Sequence, residues 1–441
     1  MHEIPGYSHA SKQPLCVISI NIPDDLSFDY QLVDDFLLHG FLLKDLSFDA
    51  THRHIYAICE RISFLANSLL QAIKLPTFEL AKIAASQYNP DTRLHRVHLL
   101  VPTVSNIPQD IILHAHGFAL KILTELHPKY DFEAAFETIQ VDFIEKFRGF
   151  IPGGVSTVSV LYAAAKHKVP FTHLGSGIYQ LGWGCRARRF DRSTNDKDAS
   201  LGNKIASDKR LTNQLLNQAG FPVPRQISVS SLKSALRAGQ ELGYPVVLKP
   251  AKLERGEGVT IGIGSDDELK SAYLKKNEEL GSLLVEEQVS GLCHRIFVAG
   301  QKAWYVSARH PMHVVGDGVH TIRELAQIEN SAQLKHAKHW RRPKLEINET
   351  SLELVAQLNL TADSIPPNGM RVPFQKIAIA ELGGMSEDVF RITHPDNLAL
   401  AEKLADFCGL DCIGIDIISA DISVAWHKTN AKRNEVNFAP E

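Results

Sequence analysis

The chain has 441 residues, of which 44% are hydrophobic and 22% are charged, and its formal net charge is −3 at pH 7. These proportions are those of an ordinary soluble globular protein of two or three domains. The 47 basic residues are balanced by 50 acidic ones, so the overall charge indicates neither a nucleic-acid partner nor an acidic tail.

The N-terminal residues and the cysteines bear on the compartment of the protein. Residues 1–24 lack a basic segment followed by an apolar core of roughly 7–15 residues, which a signal peptide would have. No run of about 20 apolar residues occurs, so we expect no membrane partner. The six cysteines are widely spaced and form no CxxC pair, which fits a reducing compartment. We therefore expect a cytoplasmic protein.

The first part of the chain, residues 1–170, reads as an N-terminal α/β domain. Residues 15–20 and 96–101 predict strands, whereas residues 55–73 carry apolar side chains at helical spacing. Glycines followed by Ser and Thr open a helix at residues 153–157, a pattern that suits an anion-binding helix N-terminus or simply a well-capped helix. We find no catalytic pattern here and expect a substrate-binding or assembly role.

The second part, residues 171–441, shows a more regular series of helices and strands. Ser207 is the expected N-cap of its first clear helix. In chain order the predicted elements are helices at 207–219 and 231–242, strands at 244–250 and 259–263, a helix at 266–280, a strand at 282–287, a hairpin at 295–307 that turns at 299–300, helices at 321–329 and 395–407, and strands at 412–418 and 434–438. The predicted fold class is α/β, with an α+β arrangement of some elements.

A lysine at the end of a buried strand precedes a glycine-bearing loop, and this order suits phosphate binding. Lys249 supplies a positive charge, while Gly256 and Gly258 let backbone N–H groups approach phosphate oxygens. The P-loop pattern GxxxxGK[ST] is absent. A surface lysine beside a hairpin would produce the same sequence, so both interpretations stay open.

A second candidate segment lies at the end of the strand at 282–287. Backbone groups of Glu286, Glu287, Gln288 and Val289 are placed to read the edge of an adenine, if the segment connects two domains. An ordinary strand end is the alternative.

Three oxygen-bearing side chains lie on the last two strands. Glu435 and Asn437 are two residues apart and therefore share a face, and Asp416 is a single acid in an otherwise apolar strand. A buried carboxylate is costly unless it is paired or bound to a metal. The set suits Mg²⁺, which prefers oxygen ligands. Pairing of the acids with a nearby Arg or Lys is the alternative.

Taken in order, these elements resemble those of ATP-grasp enzymes, and more narrowly the ATP-grasp half of cyanophycin synthetase. The matching stretches are residues 180–184, 205–209, 243–250, 313–325, 394–397 and 435–437. The resemblance covers about residues 150–441 and is faint before them.

The resemblance implies an ATP-grasp fold over residues 171–441, with a lid subdomain at about 222–284. Such enzymes use ATP and one or two Mg²⁺ ions to phosphorylate a carboxylate, and an amine then attacks the acyl phosphate. The resemblance also implies an amino-acid or peptide substrate and a homo-oligomer. The site residues that it implies are Lys209, Lys249, Gly256, Gly258, Glu286, Glu287, Gln288 and Val289 for ATP, Asp416, Glu435 and Asn437 for magnesium, and Arg309, His294 and Arg295 for catalysis.

The sequence departs from the family pattern at several positions. Glu257 replaces an arginine of the glycine loop, and Cys293 replaces an acid. Gln375, Ile379 and Glu381 replace an arginine, an asparagine and a serine. Because an amide cannot replace the fixed positive fork of a guanidinium, we expect a changed substrate or a weakened enzyme. A non-catalytic nucleotide-binding or scaffold protein derived from such a ligase is the alternative.

The sequence ends at Glu441, and the Mur-ligase-like half of cyanophycin synthetase does not follow. The expectation from this is one ligation reaction rather than two alternating ones.

Overall fold

The computed structural model describes residues 2–4, 11, 13–41, 54–108, 110–127, 129, 132–148, 154–251, 258–275, 283–333, 342–378, 383–438 and 440. Within these ranges, no helix is both long and apolar enough to cross a membrane. The chain divides into two compact units, Met1–Asp196 and Lys197–Pro440, which we call the N-terminal and the C-terminal unit.

The N-terminal unit is built on an antiparallel sheet and helices that share one apolar core. Its elements are β1 (His2–Ile4), β2 (Leu15–Pro23), α1 (Tyr30–Phe41), α2 (His54–Ala72), β3 (Lys82–Asn89), β4 (Leu94–Pro102), α3 (Asp110–Glu125), α4 (Phe132–Ile139) and α5 (Val155–Lys166). The strand order is β1-β2-β4-β3. Ile18, Ile20 and Ile22 alternate into the core from β2, and Ile58 and Ile62 lie one helical turn apart on the buried side of α2. The predicted strands and helix in this unit are confirmed.

A second small sheet completes the N-terminal unit. Its strands are β5 (Phe171–Gly175), β6 (Ile178–Leu181), β7 (Arg188–Asp191) and β8 (Thr194–Asn195), paired in that order. Phe171, Tyr179 and Phe190 are buried in the same core as the first sheet. The compact unit therefore extends to Asp196, whereas the sequence placed a boundary at residue 170, because these aromatic side chains have their packing partners in the preceding chain.

In its described residues, the C-terminal unit contains three sheets. Its elements are α6 (Ser200–Ala206), α7 (Lys209–Gln218), β9 (Gln226–Val229), α8 (Leu232–Leu242), β10 (Val246–Pro250), β11 (Thr260–Ile263), α9 (Asp266–Leu274), β12 (Leu283–Glu287), β13 (Leu292–Ala299), β14 (Lys302–His310), β15 (His313–Val315), α10 (Ile322–Gln333), α11 (Glu349–Gln357), β16 (Arg371–Pro373), β17 (Met385–Asp388), α12 (Pro395–Cys408), β18 (Cys412–Ser419) and β19 (Lys432–Asn437).

Each sheet has its own apolar core. The four-stranded sheet β11-β10-β12-β9 packs on α8 and α9, and we call it the 226–287 sheet. The five-stranded sheet β17-β14-β13-β18-β19 packs on α12, and we call it the central sheet. The pair β15-β16 packs on α10 and α11. The 226–287 sheet lies within the predicted lid segment, except for the C-terminal end of β12. Its role as a lid stays a prediction.

Local signals in this unit were read correctly in most places. The hairpin of β13 and β14 turns at Gly300 and Gln301, and Ser265 caps α9 by accepting a hydrogen bond from the backbone of Glu268. The predicted cap of α7 was wrong by one residue. Asp208 caps α7, because its carboxylate accepts from two backbone amides of the first turn, whereas Ser207 closes the preceding helix.

Candidate active site

The two faces of the central sheet differ in chemistry. His294, Ile296 and Val298 of β13 are buried on the side that packs on α12. Cys293 and Arg295 alternate to the opposite face and are only half-buried. Of the two catalytic residues predicted on this strand, Arg295 therefore lies on the face away from α12 and His294 on the face towards it.

A row of polar side chains crosses that face from edge to edge. The backbone register places one residue of each strand directly opposite the next, in the order Asp388, Ser307, Arg295, Asp416 and Glu435. Side chains paired in this way point to the same face of the sheet. Ser307 Oγ is buried and, within the described ranges, has no hydrogen-bond partner. We call these five residues the polar row.

Arg295 and Asp416 form the centre of the polar row. Nε and Nη2 of Arg295 donate hydrogen bonds of 2.7 and 2.9 Å to Oδ1 and Oδ2 of Asp416. Gly414 lies close to this fork, since a Cβ there would be 3.1 Å from Cβ of Pro440 and 3.4 Å from Cδ and Nε of Arg295. Burial acts to lower the pKa of Arg295, but the hydrogen bonds and the negative charge of Asp416 outweigh it and raise that pKa.

The sheet brings the three predicted magnesium ligands together. Asp416 pairs directly with Glu435, and Asn437 pairs with Gly414 on the same face of the sheet. Two carboxylates and an amide oxygen are a donor set that fits Mg²⁺. No group of three or more His, Cys, Asp or Glu side chains that could hold a metal occurs in the described part of the chain, so the predicted set depends on Asn437 as its third ligand.

Cations hold the carboxylates of this set in the structure. Arg295 binds Asp416 as above, Arg309 Nη1 lies 3.5 Å from Asp416 Oδ2, and Lys209 Nζ lies 3.0 Å from Oε1 of Glu435. Lys209 reaches Glu435 from the first turn of α7. The acids are therefore paired with basic side chains, which is the alternative that the sequence left open. A metal ion could use only the carboxylate lone pairs that these cations do not occupy.

The predicted phosphate-binding lysine lies on the 226–287 sheet, on the face opposite its helices. Lys249 is 8% exposed and Glu286 is 5% exposed, and Lys249 Nζ donates a 2.8 Å hydrogen bond to Oε1 of Glu286. A buried lysine at a strand end is what the sequence predicted; its carboxylate partner comes from the segment predicted to line adenine. Gly258 has a positive φ of 68°, and Gly256 lies outside the described residues.

The rest of the predicted adenine segment joins the 226–287 sheet to the central sheet. Glu287 of β12 accepts a hydrogen bond from Lys432 of β19. Burial acts to raise the pKa of Glu287, but this bond and its neighbours outweigh it and lower the pKa. Gln288 accepts a 2.6 Å bond from the backbone N–H of Gly262, and Val289 is half-buried.

Of the three predicted catalytic residues, the structure brings two together. Arg309 and Arg295 both approach Asp416, whereas His294 lies on the opposite face of β13. Burial lowers the pKa of His294 and favours its neutral form. Cys293 lies directly opposite Arg309, and burial together with the charge of Asp416 raises the pKa of its thiol. His294 is next to Arg295 in the sequence, but consecutive side chains of β13 point to opposite faces of the sheet.

The departures from the family pattern are only partly within the described residues. Gln375 is half-buried. Lys376 Nζ lies 2.8 Å from Glu353 in an exposed pair, so the positive charge next to Gln375 is bound to a carboxylate. Glu257, Ile379 and Glu381 lie outside the described residues.

Asn397 has a structural role that the sequence analysis missed. It is fully buried, its Nδ2 donates to the carbonyl oxygens of Ile422 and Val424 at 2.8 and 2.9 Å, and its Oδ1 accepts from the backbone N–H of Trp426 at 2.7 Å. These bonds fix the loop between β18 and β19. The signal was available, because Asn397 ends one of the stretches that carried the resemblance.

Arg433 was also missed. It is 2% exposed, and of its side-chain nitrogens Nη1 donates a 3.0 Å bond to the Asn434 carbonyl. Strict alternation would place Arg433 on the face of Glu435, but the register shifts between Asp416 and Ile417 and turns Arg433 towards the apolar side. Burial lowers the pKa of Arg433, and the negative charge of Glu286 opposes this shift. A bulge of this kind has no sequence signal here.

Comparison with known proteins identifies the class of domain. Residues 208–342 match the family model of the carbamoyl-phosphate synthase L chain, ATP binding domain. The chain therefore carries an ATP-grasp domain, which includes the whole 226–287 sheet and strands β13 and β14 of the central sheet. The resemblance to ATP-grasp enzymes and the α/β fold class are confirmed.

Individual relatives narrow the comparison. Cyanophycin synthetase from Trichormus variabilis is 33% identical over 290 residues, which are 65% of this chain and 32% of that protein. The glutathione biosynthesis bifunctional protein GshAB from Streptococcus agalactiae is 30% identical over 253 residues, which are 55% of this chain and 33% of that protein. These relatives are ATP-grasp ligases, which form peptide or amide bonds. The chain spans about a third of their length.

Among solved structures, a bifunctional glutathione synthetase from Pasteurella multocida aligns with a TM-score of 0.49 at 23% identity, over 75% of this chain and 49% of that one.

Proposed function

We propose that this protein is an ATP-dependent carboxylate–amine ligase that joins an amino acid or small peptide through an acyl phosphate and releases ADP and phosphate. The observation that carries the proposal is the polar row. It places Arg295, Asp416 and Glu435 side by side on one face of the central sheet, and Lys209 contacts Glu435.

The proposed chemistry needs charge neutralisation and positioning more than covalent catalysis. Lys209 and Lys249 bind the nucleotide phosphates once these draw them away from Glu435 and Glu286. The substrate carboxylate attacks the γ-phosphorus atom of ATP. The bond between that phosphorus atom and ADP breaks, and an acyl phosphate forms. The amine then attacks the acyl carbon, loses a proton and expels phosphate. Arg309, half-buried on the same face, is placed to stabilise the oxyanion of that step.

Magnesium is part of the proposal. Glu435, Asn437 and Asp416 would hold it, and when bound it supplies positive charge to the phosphate oxygens. This assignment requires Asp416 to keep its fork with Arg295 while offering its remaining lone pairs.

Product analysis tests the proposal. The protein is incubated with ATP, Mg²⁺ and pairs of amino acids or peptides, and ADP, phosphate and the amide are measured. We expect release of ADP only with the correct pair, and loss of that release in Glu435→Gln and Asp416→Ala. Glu353→Gln, which removes an exposed carboxylate bound to Lys376, is the matched control. Undiminished turnover in Glu435→Gln contradicts the metal assignment.

A second candidate is a nucleotide-binding protein without turnover. It is favoured by the fork of Arg295, which occupies both oxygens of Asp416, and by the neutral thiol of Cys293 in place of an acid. Binding of ATP with no product across a broad panel of acids and amines would support it over the ligase.

The cytoplasmic location is proposed as well. All six cysteines are free thiols, as expected in a reducing compartment. Homo-oligomerisation stays a prediction.

A further inference from the structure

Arg433 is a buried cation with unused hydrogen-bonding capacity. Its side chain is 2% exposed, and Nε and Nη2 have no hydrogen-bond partner within the described ranges. Its backbone N–H donates a 2.8 Å bond to the Pro222 carbonyl, which fixes the strand beside the segment that leads into the 226–287 sheet. A buried guanidinium in an apolar setting requires a compensating anion or acceptor.

Glu286 is the carboxylate whose negative charge acts most strongly on Arg433. The ion pair between Lys432 and Glu287 holds the ends of β19 and β12 side by side, and Arg433 and Glu286 are the adjacent residues of those two strands. Lys249 Nζ lies 2.8 Å from both carboxylate oxygens of Glu286. The angles allow a hydrogen bond only to Oε1. Glu286 is therefore bound by one buried cation, Lys249, and its charge acts on a second, Arg433, while it keeps acceptor sites to spare.

We infer that Arg433 is a positioning residue that takes over Glu286 when nucleotide draws Lys249 away. The inference rests on the nucleotide-binding part of the proposed function. Lys249 is a flexible point charge at a strand end, whereas the guanidinium of Arg433 is a planar fork held inside the protein. Lys249 is therefore the cation that moves to a phosphate. Without Arg433 that movement leaves the carboxylate of Glu286 buried and unpaired, and Lys249 stays bound to it.

A double-mutant cycle on the full chain tests this exchange, with the dissociation constant of MgATP measured by calorimetry. Arg433→Met keeps the volume of the side chain, and its Kd is expected to rise by about tenfold or more. In the Glu286→Gln background Lys249 is no longer held by a charge, so the same substitution is expected to leave Kd unchanged. Arg433→Lys restores the charge without the fork and is expected to recover part of the affinity.

The controls separate this role from a structural one. Arg237→Met removes an exposed arginine of α8 and is expected to leave Kd unchanged. Removal of an under-partnered buried charge is expected to keep or raise the melting temperature. An equal loss of affinity in both backgrounds, or no loss in either, overturns the inference. If the unmodified protein binds no MgATP, both the inference and the proposed function fail; if it binds and shows the coupling without ligase turnover, only the ligase proposal fails.

Discussion

The two units of the chain differ in what they bury. Within the described residues, the N-terminal unit buries one charged side chain, Arg61, which forms a bidentate pair with Asp34. The C-terminal unit buries four, namely Lys249, Glu286, Asp416 and Arg433. The N-terminal unit is therefore held mainly by apolar burial, as in an ordinary domain core.

This difference supports the C-terminal unit as the location of the proposed function. Buried ion pairs contribute little net stability, because the cost of removing each charge from water offsets their attraction. A protein that needed only stability would fill the same positions with apolar side chains. The buried charges of the C-terminal unit are instead arranged around the polar row and the end of the 226–287 sheet, where nucleotide binding is proposed.

The largest expected effect comes from breaking the buried pair at the centre of the polar row. Asp416→Asn keeps the shape of the side chain but removes the charge that Arg295 binds through two hydrogen bonds. We expect a loss of about 3–5 kcal/mol in the free energy of unfolding. Urea denaturation, with hydrogen exchange of β18 as a local probe, measures it.

Asp388→Asn is the control for this loss, because Asp388 lies at the exposed end of the same row. If both substitutions changed the free energy of unfolding by less than about 1 kcal/mol, the burial of Asp416 would not affect stability, and the proposed difference between the two units would be wrong.

The next effect is a pH dependence of the stability of the N-terminal unit. His116 is 1% exposed in α3, and burial lowers its pKa to about 4. The folded unit holds this imidazole neutral, so the unfolded chain takes up its proton first. Stability is thus complete above the usual pKa of about 6.5 and falls as the pH decreases towards 4, by up to roughly 3 kcal/mol.

Hydrogen exchange of α3 in the full chain between pH 7 and 4 measures this dependence. His116→Leu is expected to flatten it, and His114→Leu, which changes an exposed histidine of the same helix, is expected to leave it as it is. Equal slopes in all three proteins would show that His116 is not the group responsible.

Helices, strands and turns were predictable from the sequence where a single local rule determines the structure. Period and capping identified α2, β4 and α9, and the turn at Gly300 followed from the sequence between two strands. The gathering of Asp416, Glu435 and Asn437 on one face followed from alternation together with the resemblance. In each case the residues that decide the structure are neighbours in the chain.

The rest depended on pairing between distant segments. The side of the sheet that Arg433 faces is set by a register shift against β18, and the fork of Arg295 depends on the pairing of β13 with β18, which places Arg295 opposite Asp416. The end of the N-terminal unit at Asp196 depends on where Phe171 and Tyr179 find their partners. The local sequence of a single strand determines none of these contacts.

The smallest expected effect comes from an exposed ion pair of the C-terminal unit. Lys376 and Glu353 lie 2.8 Å apart with side chains 49% and 52% exposed, so water screens their attraction and their ordering costs side-chain entropy. Lys376→Gln is expected to change the free energy of unfolding by about 0.5 kcal/mol or less, and to leave ATP turnover unchanged. Denaturation and product release measured on the same preparation give both values. Since Lys376 follows Gln375, a fall in turnover with unchanged stability would show that Lys376 leaves Glu353 to bind substrate. The charged residues with a function would then include an exposed one, and burial would no longer distinguish functional charges from other charges in this unit.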